Sequence, residues 1–236
     1  MFLALKSESQ ILEARANMLR RGISALDGKW QSWLRRFRLT RSIRVGDQVK
    51  SWDVLTTLDF IAKALPADAA ILDIGSYASE VPVSLAKLGY SNITAIDLNP
   101  DLRRMPYRNS IRYEIGNFMA TPFDDCAFDA ITATSVIEHG YDPARLLTEV
   151  GRLLKPGGYF IASMDYWPEK IDTTGQPVFD MSWLIFSQAD VLELLTRAAC
   201  LGLLPCGDLD FGASDPLIRY GGHSYTFGWL ALRKKA

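Results

Sequence analysis

Two short apolar runs, each followed by a residue suited to ligand binding, constrain the fold of this chain more than any other feature. The first run, Ala70–Ile74, leads into Gly75, and the second, Asn92–Ile96, leads into Asp97. A helical pattern over Val81–Leu88 lies between them. A strand, a glycine turn, a helix and a second strand in this order predict a β-α-β unit with two parallel strands.

The same alternation continues along the chain and predicts the fold class. Further strands are predicted at 111–115, 128–133 and 159–163, and helices at 54–65, 143–154 and 188–200. Two final runs, Leu203–Asp208 and Tyr225–Arg233, are predicted to pair antiparallel. We therefore predict an α/β fold, a doubly wound and mostly parallel sheet with an antiparallel C-terminal strand pair and an N-terminal helical extension.

Charge divides the chain at about residue 50. The formal net charge is −1, but residues 1–50 hold 11 Lys and Arg against 4 Asp and Glu, whereas residues 51–236 hold 15 against 23. Apolar residues at steps of three and four predict a helix over Ile11–Phe37. We expect a basic N-terminal extension over 1–50 and an α/β domain over 51–236. The extension closes the substrate cleft, forms a homodimer contact, binds an anionic substrate or partner, or has a solvated face.

Composition excludes several other classes of protein. Apolar residues make up 48% of the chain, which excludes a disordered protein. The three cysteines have no metal-binding spacing and form no disulfide framework, so we expect no metal site. The first residues lack the pattern of a signal peptide, and no apolar run is long enough to span a membrane. The sequence predicts a cytoplasmic protein without a nucleic-acid partner.

Asp97 lies 22 positions after Gly75, close to the spacing at which a carboxylate binds a ribose diol in sheets of this kind. A dinucleotide is disfavoured, because Tyr77 and Glu80 stand where the GxGxxG pattern has its second and third glycines. An NAD-linked oxidoreductase is disfavoured for the same reason. A ligand with a ribose and no pyrophosphate fits the pattern better.

Four blocks carry a resemblance to a known family. They are ILDIGSYAS (71–79), ITAIDLNP (93–100), IGNFMATPFDDCAFDAITATSVIEH (115–139) and LLTEVGRLLKPGGYFIAS (146–163). In order and spacing the chain resembles the class I S-adenosylmethionine (SAM)-dependent methyltransferases, which have a Rossmann-like seven-stranded sheet. The resemblance implies SAM as cofactor and makes 51–236 the methyltransferase domain, with 164–186 as an insertion that forms the substrate pocket.

The resemblance assigns the methionine and ribose ends of the cofactor. It implies that Asp73 and Gly75 hold the methionine end and that Asp97 binds the ribose hydroxyls, with Leu98 beside the adenine. The family usually has Gly-x-Gly-x-Gly in the first loop, whereas this chain has tyrosine at the second of these positions. Tyr77 is therefore expected to cover part of the cofactor or to weaken its site.

The resemblance also assigns the adenine and sulfonium contacts. Asn117 is expected to reach the adenine amino group, at a position where the family more often has Asp, and Phe118 packs nearby. Thr134 and Ser135, after the fourth strand of the domain, are expected to flank the sulfonium. Methyl transfer needs the acceptor held in line and, for a hydroxyl acceptor, a base.

The residues expected to bind the methyl acceptor or to act on it lie after two predicted strands and in the last loop. His139 and Asp165 are the candidate catalytic residues, and Tyr166, Trp167 and His223 are the candidate substrate-binding residues. Alternatively, His139 shapes its loop and the aromatic residues form a local core. We predict transfer of a methyl group to a small molecule, with an oxygen of a sugar or specialised metabolite as acceptor. The alternative function is a non-catalytic binding or regulatory subunit with the same fold.

Overall fold

The computed structural model of the protein describes residues 1–26 and 43–236, and its strands and helices are bounded as follows. The strands are β1 (Phe2–Ala4), β2 (Ile71–Ile74), β3 (Ile93–Asp97), β4 (Ile111–Ile115), β5 (Phe128–Thr134), β6 (Leu154–Tyr166), β7 (Leu203–Pro205), β8 (Leu209–Asp210), β9 (Ile218–Tyr220) and β10 (His223–Lys234). The helices are α1 (Glu8–Arg20), α2 (Ser51–Ala64), α3 (Val81–Lys87), α4 (Pro143–Leu153) and α5 (Gln188–Cys200).

The strands form one mixed sheet in the order β4-β3-β2-β5-β6-β10-β1-β8, with β7 and β9 also paired to β10. The five strands from β4 to β6 are parallel, and β10 runs antiparallel to β6. The antiparallel pairing of Leu203–Pro205 with the end of β10 confirms the predicted C-terminal strand pair. The prediction of a doubly wound, mostly parallel sheet is therefore confirmed.

Two apolar cores lie on opposite faces of the sheet. Neighbouring side chains of a strand point to opposite faces, so Ile71 packs with α1, α2 and α3, whereas Leu72 packs with α4 and α5. Both side chains are fully buried. Short parallel strands buried on both faces explain why the sequence shows continuous apolar runs rather than alternation.

The N-terminal residues belong to the sheet, which the sequence pattern did not indicate. Phe2 pairs with Leu230 of β10 and is fully buried. A side chain at Gly228 would come within 2.7 Å of the Phe2 ring, so this glycine makes room for it. The division of the chain into an extension over 1–50 and a domain over 51–236 stays a prediction. In the structure, side chains of both parts pack in one core.

The predicted helix over Ile11–Phe37 is wrong in its extent. Helix α1 spans Glu8–Arg20 and ends before Gly22, which has a positive φ of 69°. The amide of Ile23 donates to the carbonyl of Met18 and closes this helix end. The remainder of the predicted helix, from residue 27, lies outside the described residues.

A buried ion pair joins α1 to the loop after β2. The guanidinium of Arg15 donates to both carboxylate oxygens of Glu80, at 2.7 and 2.8 Å, and both side chains are buried. The Glu80 carboxylate also accepts from the amide of Ala25 at 2.7 Å, and Arg15 donates to the hydroxyl of Ser51. These bonds satisfy both charges in the protein interior.

Among the described residues, no helix combines the length and the apolar character that crossing a bilayer requires.

Replacement of Arg15 should destabilise the fold strongly. Arg15→Met leaves the Glu80 carboxylate buried without its cation, and we expect a loss of about 3–5 kcal/mol in the free energy of unfolding. Urea denaturation measures this loss. Arg21→Met is the matched control, since Arg21 pairs with Asp59 in an exposed ion pair and should cost less than about 1 kcal/mol. Similar losses in the two variants would contradict the structural role given to the buried pair.

Candidate active site

The turn after β2 depends on a glycine. Gly75 has a φ of +68°, a conformation that residues with a Cβ rarely adopt. A Cβ at this position would lie 2.2 Å from Cγ2 of Val136, in the loop after β5. Gly75 therefore makes room for Val136, and two loops at the carboxyl edge of the sheet meet there.

Asp73 holds this turn from inside the protein. Its Oδ1 accepts from the Thr132 hydroxyl at 2.6 Å, and its Oδ2 accepts from the Ser76 hydroxyl at 2.8 Å. The carboxylate is fully buried, and desolvation raises its pKa to about 6. Asp73 thus links β2 to β5 and to the turn, and its predicted contact with the methionine end of the cofactor stays a prediction.

Asp97 closes the same loop from the end of β3. Its Oδ2 accepts from the backbone amide of Tyr77 at 2.8 Å, and its Oδ1 accepts from the amide of Asn99 at 2.8 Å. Each oxygen keeps a further lone pair for a ligand. Leu98 follows with 57% of its side chain exposed, and Tyr77 is also exposed. The predicted ribose and adenine positions are therefore neighbours at one edge of the sheet.

The other two predicted adenine contacts follow β4. Asn117 is exposed, and its side-chain oxygen accepts from the amide of Met119 at 2.9 Å. Phe118 is partly buried and packs against the core on the α4 and α5 face. Asn117 thus shapes its own turn, and its side-chain amide NH2 remains at the surface.

The loop after β5 brings Ser135 next to a lysine that the sequence analysis did not single out. Thr134 ends β5, and Ser135 follows with a φ of +51°. The backbone amide of Ser135 donates to the carbonyl of Ser163 on β6 at 3.0 Å. The ammonium group of Lys50 donates to the Ser135 hydroxyl. Lys50 immediately precedes α2, so the N-terminal part of the chain reaches the predicted sulfonium position.

Glu138 and Asp165 form a buried acidic pair behind this loop. Among the described residues, neither carboxylate oxygen of Glu138 has a hydrogen-bond partner. Burial, reinforced by the charge of Asp165, raises the pKa of Glu138 to about 8. The Asp165 carboxylate accepts from Nε1 of Trp183 at 2.9 Å, and its Oδ1 lies 3.9 Å from Nζ of Lys50. The candidate base Asp165 is thus held in place by an indole and faces an ammonium group.

His139 lies beside the acidic pair. Its Nδ1 has no partner within the described part of the chain, and burial lowers the pKa of its imidazole. Its ring stacks edge-on against Phe179 at 5.2 Å between centroids. A neutral imidazole with a free nitrogen can accept a proton, which agrees with either role predicted for His139.

The predicted substrate residues separate into two groups. Tyr166 is fully buried in the core on the α4 and α5 face, and its hydroxyl donates to the carbonyl of Phe211 at 2.8 Å. The structure therefore removes Tyr166 from the candidate pocket, because strand alternation directs it away from Asp165. Trp167 is half-buried against the opposite core. His223 contacts the Gln176 side chain at 3.0 Å and lies 5.6 Å from the Trp183 ring.

The insertion after β6 borders a cavity. A cavity of about 540 Å³ is lined by Tyr141, by residues 170–177 and by Ser182–Leu184. Trp183 lines this cavity and also donates to Asp165, so the cavity adjoins the acidic pair. Within the described residues, no group of three or more His, Cys, Asp or Glu side chains could hold a metal ion.

Three functional positions escaped the sequence analysis. Glu138 stands next to His139 in the block 115–139, so its place in the motif could have indicated it. Lys50 is one of 11 Lys and Arg residues in the first 50, and no local pattern distinguishes it from the others. Arg15 is likewise not distinguished by any local pattern from the other basic residues. Only the folded chain shows which of these cations is buried or directed at the site.

Comparison with known proteins identifies the domain. Residues 72–162 match a family model described as a methyltransferase domain. A ubiquinone biosynthesis O-methyltransferase of Xanthomonas oryzae pv. oryzae is 32% identical over 120 residues, covering 47% of this chain and 50% of that protein. A demethylmenaquinone methyltransferase of Symbiobacterium thermophilum is 29% identical over 140 residues, covering 57% and 49%. The chain thus spans about half the length of the curated relatives it matches.

Solved structures of methyltransferases have a similar fold. A SAM-dependent methyltransferase from Methanosarcina mazei superposes with a TM-score of 0.55 at 22% identity, covering 75% of this chain and 97% of that chain. At this identity the likeness concerns the fold.

The raised pKa of Glu138 makes protein stability depend on pH. The unfolded group titrates near 4.5 and the folded group near 8, so the folded state holds an extra proton between these values. Stability therefore falls as pH rises through this window. We expect Glu138→Gln to lie within about 1 kcal/mol of the wild type at pH 5 and to exceed it by about 5 kcal/mol at pH 9, since each unit of pKa shift corresponds to about 1.4 kcal/mol.

Urea denaturation at both pH values measures the difference. Asp53 and Asp73, whose pKa values are also raised to about 6, titrate in both proteins and cancel in the comparison. Glu13→Gln, at an exposed position of α1, is the control and should show no difference that depends on pH. A constant offset between wild type and Glu138→Gln at all pH values would show that the buried carboxyl does not titrate as described.

Proposed function

We propose that this chain, which contains a methyltransferase domain of the class I SAM-dependent family, transfers a methyl group from SAM to a small-molecule acceptor. One observation carries the proposal. The amide of Tyr77, in the loop turned at Gly75, is bonded to the carboxylate of Asp97 across the edge of the sheet. This bond holds the turn at Gly75 next to the carboxylate that is proposed to bind the ribose.

The side chains at this edge fit the cofactor. The turn at Gly75 lets the loops after β2 and β5 approach each other at this edge. Asp97 retains lone pairs for two hydroxyl groups, and Leu98 offers exposed apolar surface for a base. When bound, SAM supplies an electrophilic methyl group on a positively charged sulfur. The protein then has to orient the acceptor, exclude water and take up a proton.

The acceptor atom in this proposal is an oxygen. The first relative named above is an O-methyltransferase. The cavity beside the insertion supports a small-molecule substrate, because Trp183 and Tyr141 give it aromatic walls. A sugar or specialised metabolite remains our proposal for the substrate class. A homodimer through the N-terminal helix, the absence of a nucleic-acid partner and a cytoplasmic location also stay predictions.

His139 and Asp165 are the proposed catalytic residues. The lowered pKa of His139 keeps its imidazole neutral at neutral pH, so that it can accept the proton of a hydroxyl group. Asp165 is fixed by Trp183 and can orient the acceptor. Trp167 and His223 are proposed to contact the substrate from the two sides of the insertion.

One feature favours a second function, a binding or regulatory subunit without catalysis. Tyr77 replaces a glycine of the family pattern, and its amide is already engaged by Asp97. Incubation with methyl-labelled SAM and fractionated metabolite extracts separates the two functions. A labelled product supports the enzyme, whereas tight cofactor binding without any product across broad extracts supports the subunit.

Replacement of Asp97 should weaken cofactor binding. Asp97→Asn keeps the shape of the side chain but turns one acceptor oxygen into a donor and removes the charge. We expect S-adenosylhomocysteine to bind about 10- to 100-fold more weakly, as the loss of a hydrogen bond to a charged group predicts. Isothermal calorimetry measures the affinity. Asp101→Asn, four residues away in an exposed ion pair, should bind like the wild type. Unchanged affinity in Asp97→Asn would remove the ribose role.

Replacement of His139 should affect turnover rather than cofactor binding. We expect His139→Ala to lower kcat by about 10²- to 10⁴-fold, the usual contribution of a general base, while calorimetry finds its affinity for S-adenosylhomocysteine unchanged. The rate is measured with the acceptor that the labelling experiment identifies. A wild-type rate in this variant would leave His139 as a residue that shapes its loop.

A further inference from the structure

The ammonium group of Lys50 is placed where an acceptor molecule would have to lie. It donates to the Ser135 hydroxyl, in the loop predicted to flank the sulfonium, and it lies 3.4 Å from the centroid of the Phe227 ring. Its distance to the nearer Asp165 oxygen is 3.9 Å, which is too long for a hydrogen bond. The side chain therefore crosses from the N-terminal part of the chain into the candidate active site.

Lys50 has hydrogen-bonding capacity to spare. An ammonium group has three donors. Within the residues that the structure describes, the Ser135 hydroxyl is the one oxygen at hydrogen-bond distance from Nζ. The aromatic face of Phe227 stabilises the charge but accepts no ordinary hydrogen bond. Two donors remain available to a ligand, and 24% of the Lys50 side chain is exposed.

The acidic groups around Lys50 lie deeper than the ammonium group. Asp53, on α2, is fully buried and accepts from the Ser163 hydroxyl at 2.7 Å. Glu138 is fully buried, and its raised pKa keeps it protonated below about pH 8. The Asp165 side chain is 8% exposed, whereas that of Lys50 is 24% exposed. A ligand that enters from solvent therefore meets the positive charge first.

The two remaining titratable neighbours do not reverse this order. The pKa of His139 is lowered, chiefly by burial, so its imidazole is neutral at neutral pH. Tyr225, on β10, has a raised pKa through burial and the nearby charge of Asp165, so its hydroxyl stays protonated. Neither group supplies a second positive charge, and neither competes with a ligand for Lys50 as an anion.

We propose that Lys50 is the acceptor-binding residue of this site and that it holds a negatively charged oxygen, so that the acceptor is an acidic hydroxyl compound rather than an amine. This inference rests on the proposed function, since it assigns the acceptor side of the same site. A cationic amine would be repelled by the ammonium group before it reached Asp165. The rings of Trp183, Tyr225 and Phe227 pack edge to face, with centroid separations of 5.9 and 6.4 Å, and line the apolar side of this position.

The test uses a phenol whose ionisation is visible. The full-length protein is saturated with S-adenosylhomocysteine, and 4-nitrophenol is titrated from pH 5 to pH 9 while the absorbance of its phenolate is recorded. We expect the wild type to lower the apparent pKa of the bound phenol by about one unit, equivalent to a tenfold preference for the phenolate. Lys50→Met should lose this shift, and Lys50→Arg should retain most of it.

Two controls keep the test decisive. Lys63→Met, at an exposed position of the helix α2 that follows Lys50, should behave like the wild type. Calorimetry with S-adenosylhomocysteine is read first for every variant, and wild-type affinity in Lys50→Met shows that this variant is folded. 4-Nitrobenzylamine serves as the cationic counterpart of the phenol and should not bind measurably.

The outcomes separate this inference from the proposed function. Failure of the wild type to bind S-adenosylhomocysteine overturns both. If the cofactor binds normally, four results overturn only the role of Lys50. They are that 4-nitrophenol does not bind, that its pKa is unshifted, that Lys50→Met retains the shift, or that 4-nitrobenzylamine binds in preference. A phenolate preference that is lost in Lys50→Met and kept in Lys50→Arg supports an anionic oxygen as the group that Lys50 holds.

Discussion

The buried ion pair between Arg15 and Glu80 connects the first helix to the loop on which the candidate site is built. Glu80 ends that loop and leads into α3, and its carboxylate could not remain in the interior without a cation. The same contact brings the segment from residue 43 to 50 over the loop, where the amide of Gly46 donates to the carbonyl of Ala78 at 2.8 Å. Arg15 also donates to the carbonyl of Asp47 at 3.3 Å, so the ion pair holds both the loop after β2 and the segment that ends at Lys50.

Much of the sheet could be predicted from the sequence because short stretches of residues determine its strands and turns. Runs such as Ala70–Ile74 are buried on both faces, which makes them continuously apolar, and the turns between them need particular residues. Gly75 is required by a positive φ and by the approach of Val136, and a glycine at a strand end can be read directly. The position of Asp97 follows from the length of one β-α-β unit.

The parts that could not be predicted depend on contacts between distant positions. Phe2 pairs with Leu230, and no property of the first four residues indicates a strand. Helix α1 ends at Arg20, where Gly22 takes a positive φ and the amide of Ile23 bonds to the carbonyl of Met18, although the apolar spacing continues in the sequence. Strand β6 is longer than its apolar run suggested and includes both Asp165 and Tyr166. Because neighbouring residues of a strand point to opposite faces, Tyr166 points away from the face that carries Asp165.

We propose that the edge formed by Gly75, Asp97 and Ser135 binds SAM and presents its methyl group to an acceptor held by Lys50. A crystal structure of the protein with S-adenosylhomocysteine tests this most directly. We expect both ribose hydroxyls on the carboxylate of Asp97 and the sulfur facing Ser135 and the ammonium group of Lys50. A nucleoside bound elsewhere, or a sulfur directed away from the loop after β5, would contradict it.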